Sequence, residues 1–162
     1  MSLADELAAN NARYAEHYQG PLPTPPSRQL AVVTCMDSRM DVHALLGLQL
    51  GEAHVLRNAG GIVTEDVIRS LVVSQRLLKT EEIVVIHHTQ CGLLDLDEAS
   101  FTGDLERDAG SRPLWRPGTF HDVDADVRSC VAQLRNSPYL SHTDRVTGFV
   151  FEVETGRLRP VS

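Results

Sequence analysis

The stretch that most constrains the fold is the apolar run Ile83–Ile86, in which every residue is β-branched. A short run of this kind, with charged residues before it and Gly92 beyond it, predicts an interior strand of a parallel sheet. It leads into His87 and His88, and Cys91 follows. Because side chains alternate along a strand, His87 and His88 point to opposite faces, so only one can share a site with Cys91. The motif His88-x-x-Cys91 has the spacing and donor types of a zinc site, although a motif this short is weak evidence alone.

A second apolar strand with the same kind of ending lies upstream. Leu30–Cys35 is followed by Asp37 and Arg39, so a carboxylate and a guanidinium come directly after its terminal thiol. If the two strands are parallel neighbours, that thiol meets His88 and Cys91 at the carboxyl edge of the sheet, where open α/β sheets bind ligands. Three ligands of the Cys₂His type leave a fourth zinc position free, which is typical of catalytic zinc sites.

Three motifs in this order resemble one enzyme family. Cys35-x-Asp37-x-Arg39, then Arg57-Asn58-Ala59-Gly60, then His88-x-x-Cys91-Gly92, closely resemble the β-class carbonic anhydrases over residues 30–94, and the short chain resembles their compact bacterial branch. The resemblance implies one Zn²⁺ per chain, bound by Cys35, His88 and Cys91, and a homodimer or higher homo-oligomer. Leu93 and Leu94 stand where larger members often have a further glycine, so the pocket shape is expected to differ.

The resemblance also implies an activity, the reversible hydration of carbon dioxide to bicarbonate and a proton by a zinc-bound hydroxide. Asp37 and Arg39 form the expected catalytic pair: Asp37 accepts a hydrogen bond from the hydroxide, and Arg39 keeps Asp37 ionised and oriented. With Arg39 displaced, Asp37 could take the fourth zinc position, and this closed state is expected to gain as pH falls. Gly60 and Gly61 are expected to form part of the substrate pocket, or else a plain tight turn.

Two other functions stay open at this point. Relatives on the same fold hydrolyse carbon disulfide or carbonyl sulfide with the same ligands, and short motifs do not separate them from carbonic anhydrases. A non-catalytic zinc-binding module, permanently closed by Asp37, is the second alternative. Arg39 argues against it, because it offers Asp37 another partner.

The remaining pattern predicts an α/β fold with a mostly parallel central sheet, flanking helices and an antiparallel edge strand at the C-terminus. Residues 1–162 are expected to form a single domain. Residues 1–28 would supply a capped helix and a proline-rich strap, which the resemblance to dimeric enzymes suggests is exchanged between subunits. A helix from Thr64 to Lys79 and a hairpin at 148–161 complete the main elements.

Composition excludes several partners. The formal net charge of −7 at pH 7 and the absence of a Lys/Arg cluster argue against nucleic acid or an anionic membrane. No leader and no long apolar stretch are recognisable, and three cysteines do not suggest a disulfide framework, so a cytoplasmic location is expected. Cys130 is assigned no role beyond a buried apolar residue, and the acidic segment 95–108 is expected to be a solvated face. The possible proton acceptors by residue type are His43, His54, His87, His121 and His142.

Overall fold

The alternation of strands and helices gives a five-stranded sheet in the computed structural model, which describes residues 1–162. The strands are β1 (Leu30–Cys35), β2 (Ala53–Asn58), β3 (Glu82–His88), β4 (Val146–Glu152) and β5 (Arg157–Val161). The helices are α1 (Leu3–Ala15), α2 (Val42–Leu46), α3 (Glu65–Arg76), α4 (Glu98–Ala109) and α5 (Val123–Arg135), and a short 3₁₀ turn covers Ala59–Gly61.

The strand order is β2-β1-β3-β4-β5, with every pair parallel except β4 and β5. The predicted fold class is therefore confirmed. β5 carries Pro160 at the edge of the sheet, the position where proline is tolerated in a strand. β1 and β3 are direct neighbours, with Thr34 opposite Ile86, so their carboxyl ends lie side by side.

The core occupies both faces of this sheet. On one face, Ile83 and Val85 pack with buried residues of α3 and α5, including Leu71 and Leu134. The opposite face carries Val32, Ile86 and the two cysteines of the predicted site, among other residues. His87 therefore lies on the face covered by α5, and His88 lies on the other.

Local capping explains where the helices begin and end. The Thr64 side chain accepts a hydrogen bond from the backbone of Val67 and starts α3, as predicted. The helix ends at Arg76 rather than at Lys79, because Lys79 has a φ of 64° and cannot continue a right-handed helix. The acidic segment was predicted only as a solvated face. It forms α4, capped by Asp97 and ended by Gly110 in the left-handed conformation, and Thr102 is its one buried residue.

The N-terminal residues stand apart from this core. A capping box between Ser2 and Asp5 starts α1, yet none of its residues is buried, and residues 1–24 are all exposed. Leu3 is 70% exposed and Leu7 58% exposed. The apolar face of α1 is thus unpartnered within its own chain. None of the helices has the length and apolar character required to cross a membrane.

Candidate metal centre and active site

Three potential metal ligands converge where β1 and β3 end. Cys35 is the last residue of β1, His88 is the last residue of β3, and Cys91 lies in the turn that follows. All three are buried, and one ligand atom from each lies within 4.8 Å of the other two. The parallel pairing of β1 with β3 produces this convergence, because it aligns the carboxyl ends of both strands.

The ring of His88 is oriented for metal binding. Its Nδ1–H donates to the carbonyl of Thr89 at 2.8 Å, which leaves Nε2 as the nitrogen with a free lone pair. Nε2 is buried and has no hydrogen-bond partner. A buried, unpartnered imidazole nitrogen beside two thiols is the donor set that Zn²⁺ prefers, so these residues fit a zinc ion.

The two thiols are electrostatically coupled. A hydrogen bond from Cys91 lowers the pKa of Cys35 well below its ordinary value, with a further contribution from His88. The same contact raises the pKa of Cys91 well above its ordinary value. These contacts favour the thiolate form of Cys35, and a cation that binds here has to displace the proton of the Cys91 thiol.

Asp37 and Arg39 form a two-pronged ion pair beside the three ligands. Arg39 Nε donates to Asp37 Oδ1 at 2.9 Å and Nη2 donates to Oδ2 at 2.8 Å. The hydrogen bonds from Arg39 hold the pKa of Asp37 well below its ordinary value of 3.8. Oδ2 of Asp37 lies 3.7 Å from Nε2 of His88. An ionised carboxylate is thus fixed next to the position that a metal on His88 would take.

Arg57 holds the loop that carries Asp37. The sequence analysis named Arg57 as part of a motif but assigned it no role. Its guanidinium donates to three backbone carbonyls: Cys35 at 2.9 Å, Met40 at 3.1 Å and Asp37 at 2.6 Å. These bonds satisfy carbonyls that have left the β1 ladder, and they fix the path of residues 35–40. Arg57 is therefore a positioning residue for Cys35 and Asp37.

Glu154, which the sequence analysis missed, holds the turn between His88 and Cys91. Its carboxylate accepts hydrogen bonds from Thr89 Oγ1 and Gln90 Nε2, both at 2.7 Å. The bond from Thr89 is the main reason that the pKa of Glu154 lies below its ordinary value. Glu154 follows β4 at the same sheet edge, so its position after a strand was a signal that could have identified it.

Gly60 and Gly61 are buried in the turn after β2. Gly61 has a φ of 71°, and a Cβ at this position would lie 2.8 Å from the backbone nitrogen of Cys35. The turn is therefore pressed against the end of β1, and only glycine fits it. An apolar pocket of about 390 Å³, lined in part by Ala59, Ile62 and Leu93, adjoins this turn.

The five histidines that the sequence offered as proton acceptors are dispersed. His54 hydrogen-bonds Ser74 at 2.7 Å, and His121 pairs with Asp95 at 2.7 Å on the surface. His43 is exposed on α2, and His142 lies in a loop. His87 is buried on the face of β3 opposite His88.

Comparisons with known proteins agree with this geometry. Residues 30–110 match the carbonic anhydrase family. The chain is 46% identical to β-carbonic anhydrase 1 of Mycobacterium tuberculosis, with 100% of this chain and 99% of the relative covered. It is also 36% identical to a carbon disulfide hydrolase of Acidithiobacillus thiooxidans, covering 99% of this chain and 91% of that protein.

A solved structure gives the same result for the fold. The carbonic anhydrase of Streptococcus mutans superimposes with a TM-score of 0.91 at 46% identity, over 100% of this chain and 99% of that one. Sequence similarity and fold similarity thus both extend over the full length of the chain. The chain belongs to the β-carbonic anhydrase family.

Proposed function

We propose that this chain catalyses the reversible hydration of carbon dioxide to bicarbonate and a proton. The observation that carries the proposal is the ionised Asp37 carboxylate, held by Arg39 at 3.7 Å from the unpartnered Nε2 of His88. Cys35, His88 and Cys91 would hold one zinc ion per chain. Bound there, zinc supplies a Lewis acid that makes hydroxide available near neutral pH.

Asp37 and Arg39 orient the reacting water beside the metal position. Both oxygens of Asp37 accept hydrogen bonds from Arg39, so the carboxylate stays ionised and can accept a further hydrogen bond from the reacting water. That bond directs the water's lone pair towards the substrate. Arg39 is itself tied to the carbonyl of Gln90 at 3.1 Å, which links the pair to the turn carrying Cys91.

The substrate approach is proposed to lie along the Gly60 turn. A Cβ at Gly60 would lie 2.8 Å from Cδ1 of Leu93, so Leu93 packs directly against this turn and lines the adjoining apolar pocket. Carbon dioxide is small and apolar, and it partitions into such a pocket without needing polar partners. Gly60 and Gly61 keep the turn close to Cys35 without filling the space beside it.

Hydrolysis of carbon disulfide is the second candidate. The observation that favours it is the 36% identity to a carbon disulfide hydrolase over 99% of this chain. Carbon disulfide is also linear and apolar, so the pocket beside Gly60 does not discriminate between the two substrates. Identity to the mycobacterial β-carbonic anhydrase is higher, at 46%, and this supports our choice of carbon dioxide as the first candidate.

A closed, non-catalytic site is the third possibility, with Asp37 as the fourth zinc ligand. Against it stand the two hydrogen bonds from Arg39 to the carboxylate and the third from Arg39 to Gln90. Asp37 would have to give up this paired geometry to bind a metal.

The test is stopped-flow hydration of carbon dioxide on protein of measured zinc content, run in parallel with a carbon disulfide assay. Wild-type protein should hydrate carbon dioxide, and Cys35→Ser should lose the zinc ion of this site together with the activity. Asp37→Asn should keep its zinc and lose roughly 10- to 100-fold in rate, as is usual for groups that orient a metal's ligands. Asp66→Asn, at a carboxylate of α3 whose side chain is 74% exposed, is the matched control. Hydrolysis of carbon disulfide without hydration would select the second candidate, and zinc without either activity would select the closed site.

We also propose that residues 1–28 dock on a second copy of the chain, making a homodimer in which the rest of the chain is one domain. The arm has all of its residues 1–24 exposed, and its large apolar side chains, Leu3, Leu7, Tyr14 and Tyr18, are each about half exposed or more. An apolar face of this kind is stabilised when a partner covers it. Free thiols at all three cysteines suit a reducing cytoplasm, where we expect the dimer to reside.

Sedimentation equilibrium tests the exchanged arm. Leu7→Asp should weaken the dimer, whereas Leu114→Asp, at a fully exposed leucine outside the arm, should not. A monomeric wild type, or a dimer equally stable in both variants, would show that the arm does not form the interface.

A further inference from the structure

A second cluster of metal-ligand side chains lies on the opposite face of β3. One ligand atom each from His87, Asp126 and Cys130 lies within 4.8 Å of the other two. Asp126 and Cys130 are four residues apart, one turn of α5, and so face the same way towards the strand. His87 is 1% exposed and Cys130 5% exposed. This cluster shares no residue with Cys35, His88 and Cys91.

Two polar atoms of this cluster face each other at close range. Nδ1 of His87 and Oδ2 of Asp126 are both buried and lie 3.2 Å apart, an ion-pair distance, although no hydrogen bond of good geometry joins them. A cation bound between them would satisfy both atoms. Nitrogen and oxygen ligands on one tetrahedral zinc ion are separated by about 3.3 Å, given bond lengths near 2.0 Å.

The surroundings suit a cation. Nε2–H of His87 donates to the carbonyl of Gly61 at 3.1 Å, which fixes the ring and leaves Nδ1 as the free donor. Asp126 and a Cys130 thiolate would together neutralise a divalent ion, so the buried site would carry no net charge. Glu98 and Arg116 line the pocket beside the cluster and form an ion pair with each other at 2.7 Å. Their charges cancel, so they add no net charge next to the cluster.

An entry path is also present. Asp126 and Cys130 line an open pocket of about 500 Å³ that includes Ser129 and Gln133. An ion could reach the cluster through this pocket and keep water at its fourth position. Access from the zinc position on the other face is not required, because the sheet separates the two.

We propose that His87, Asp126 and Cys130 form a second binding site for a zinc-class divalent cation. The site joins α5 to β3 and, through the carbonyl of Gly61, to the turn that presses on Cys35. A His, a carboxylate and a thiolate are ligands shared by Zn²⁺ and Co²⁺, and Co²⁺ reports on its thiolate ligands by its colour. The proposal does not depend on which reaction the first site catalyses.

Metal counting on the full-length protein tests the proposal. Wild-type protein equilibrated with Zn²⁺ should hold about two ions per chain, and Cys130→Ala and Asp126→Asn should each hold about one. Cys35→Ser should also hold about one, since it loses the ion that Cys130→Ala retains. Ser129→Ala, which changes the same pocket without removing a ligand, is the matched control and should behave as wild type.

A spectroscopic measurement separates the two sites. Co²⁺ added to protein whose first site is already filled with zinc should give a thiolate-to-cobalt absorption band, and that band should be absent from Cys130→Ala. Circular dichroism and the retained first zinc establish that the variant is folded. Saturation of the wild type at one ion per chain, or a second ion that persists in both Cys130→Ala and Asp126→Asn, would overturn the proposal.

Discussion

Replacing Gly61 by alanine tests how closely the turn after β2 must approach β1. The new Cβ would lie 2.8 Å from both the backbone nitrogen of Cys35 and the carbonyl carbon of Thr34. Backbone atoms of a central strand cannot rotate away as a side chain can. The substitution must therefore displace the end of β1, where Cys35 is located, or displace the turn and the carbonyl that binds His87.

Gly156→Ala is the matched control, because the two glycines have the same φ of 71° and nothing lies within 4 Å of a Cβ at Gly156. In both variants, alanine in the left-handed conformation lowers the free energy of unfolding by about 1–2 kcal/mol. In Gly61→Ala alone, overpacking against β1 lowers it by about 1–3 kcal/mol further. We expect a total loss of about 2–5 kcal/mol for Gly61→Ala, which places it clearly above the control.

Thermal unfolding at fixed, saturating zinc measures the difference. For a chain of this length each kcal/mol lowers Tm by about 2–4 °C, so Gly156→Ala should lose about 2–8 °C and Gly61→Ala about twice that or more. Zinc release to a chelator should accelerate only in Gly61→Ala, because only that variant displaces the end of β1 or the turn that packs against it. Equal losses of Tm in the two variants would refute the reasoning, since they would show that backbone conformation alone explains the glycine.

Three further predictions concern residues that support the site or the fold. Arg57→Lys should lower the free energy of unfolding by about 1–3 kcal/mol, because a single ammonium cannot serve the carbonyls of Cys35, Asp37 and Met40 together; urea unfolding measures it, and an unchanged midpoint would contradict the assigned role. Glu154→Gln should weaken zinc affinity roughly 10- to 100-fold, because the turn before Cys91 loses its charged acceptor; competition with a chelator measures it, and Glu152→Gln is the neighbouring control. Asp124→Asn should cost up to about 1 kcal/mol at pH 7, because it breaks the paired contacts with Arg159 at 2.6 and 2.9 Å. The bond from Arg159 lowers the pKa of Asp124 below 3.8, so this contribution is present above that pH and is lost as the pH falls through the lowered value. Wild type and Asp124→Asn should therefore converge in stability in strong acid, and a difference that persists there would contradict an ionic origin.

The convergence of Cys35, His88 and Cys91 could be predicted because it requires only the positions of two strands and their parallel pairing. β-Branched runs identified the strands, and parallel strands that are neighbours end at the same edge. The hydrogen-bond partners of Arg57 and Glu154 could not be assigned in the same way, although the position of Glu154 after β4 does place it at this edge. The role of Arg57 depends on where three carbonyls of an irregular loop point, and no sequence pattern specifies that. Glu154 reaches Gln90 across 64 residues, through the pairing of β3 with β4.

Helix α4 was not predicted, although the sequence contains signals for both of its ends. Its acidic composition was given more weight than those signals. Its acidic composition suggested only a solvated face, whereas Asp97 at the N-cap and Gly110 after the last turn are ordinary start and stop signals. Because the helix buries only Thr102, no apolar periodicity supported those signals. A helix that lies on the surface can thus be recognised by its ends even when its middle carries no pattern.

For His87, Asp126 and Cys130, the sequence predicts the face or burial of the individual residues but not that the three residues meet. Strand alternation places His87 opposite His88, and Cys130 is buried, as expected for a small apolar residue. Asp126 and Cys130 are one helical turn apart, which places both on one face of α5. What cannot be deduced is that α5, rather than α3 or α4, covers the carboxyl end of β3 on that face. That packing brings the three residues into one cluster, with Nδ1 of His87 3.2 Å from Oδ2 of Asp126, and so makes Cys130 a ligand candidate rather than only a filler of the core.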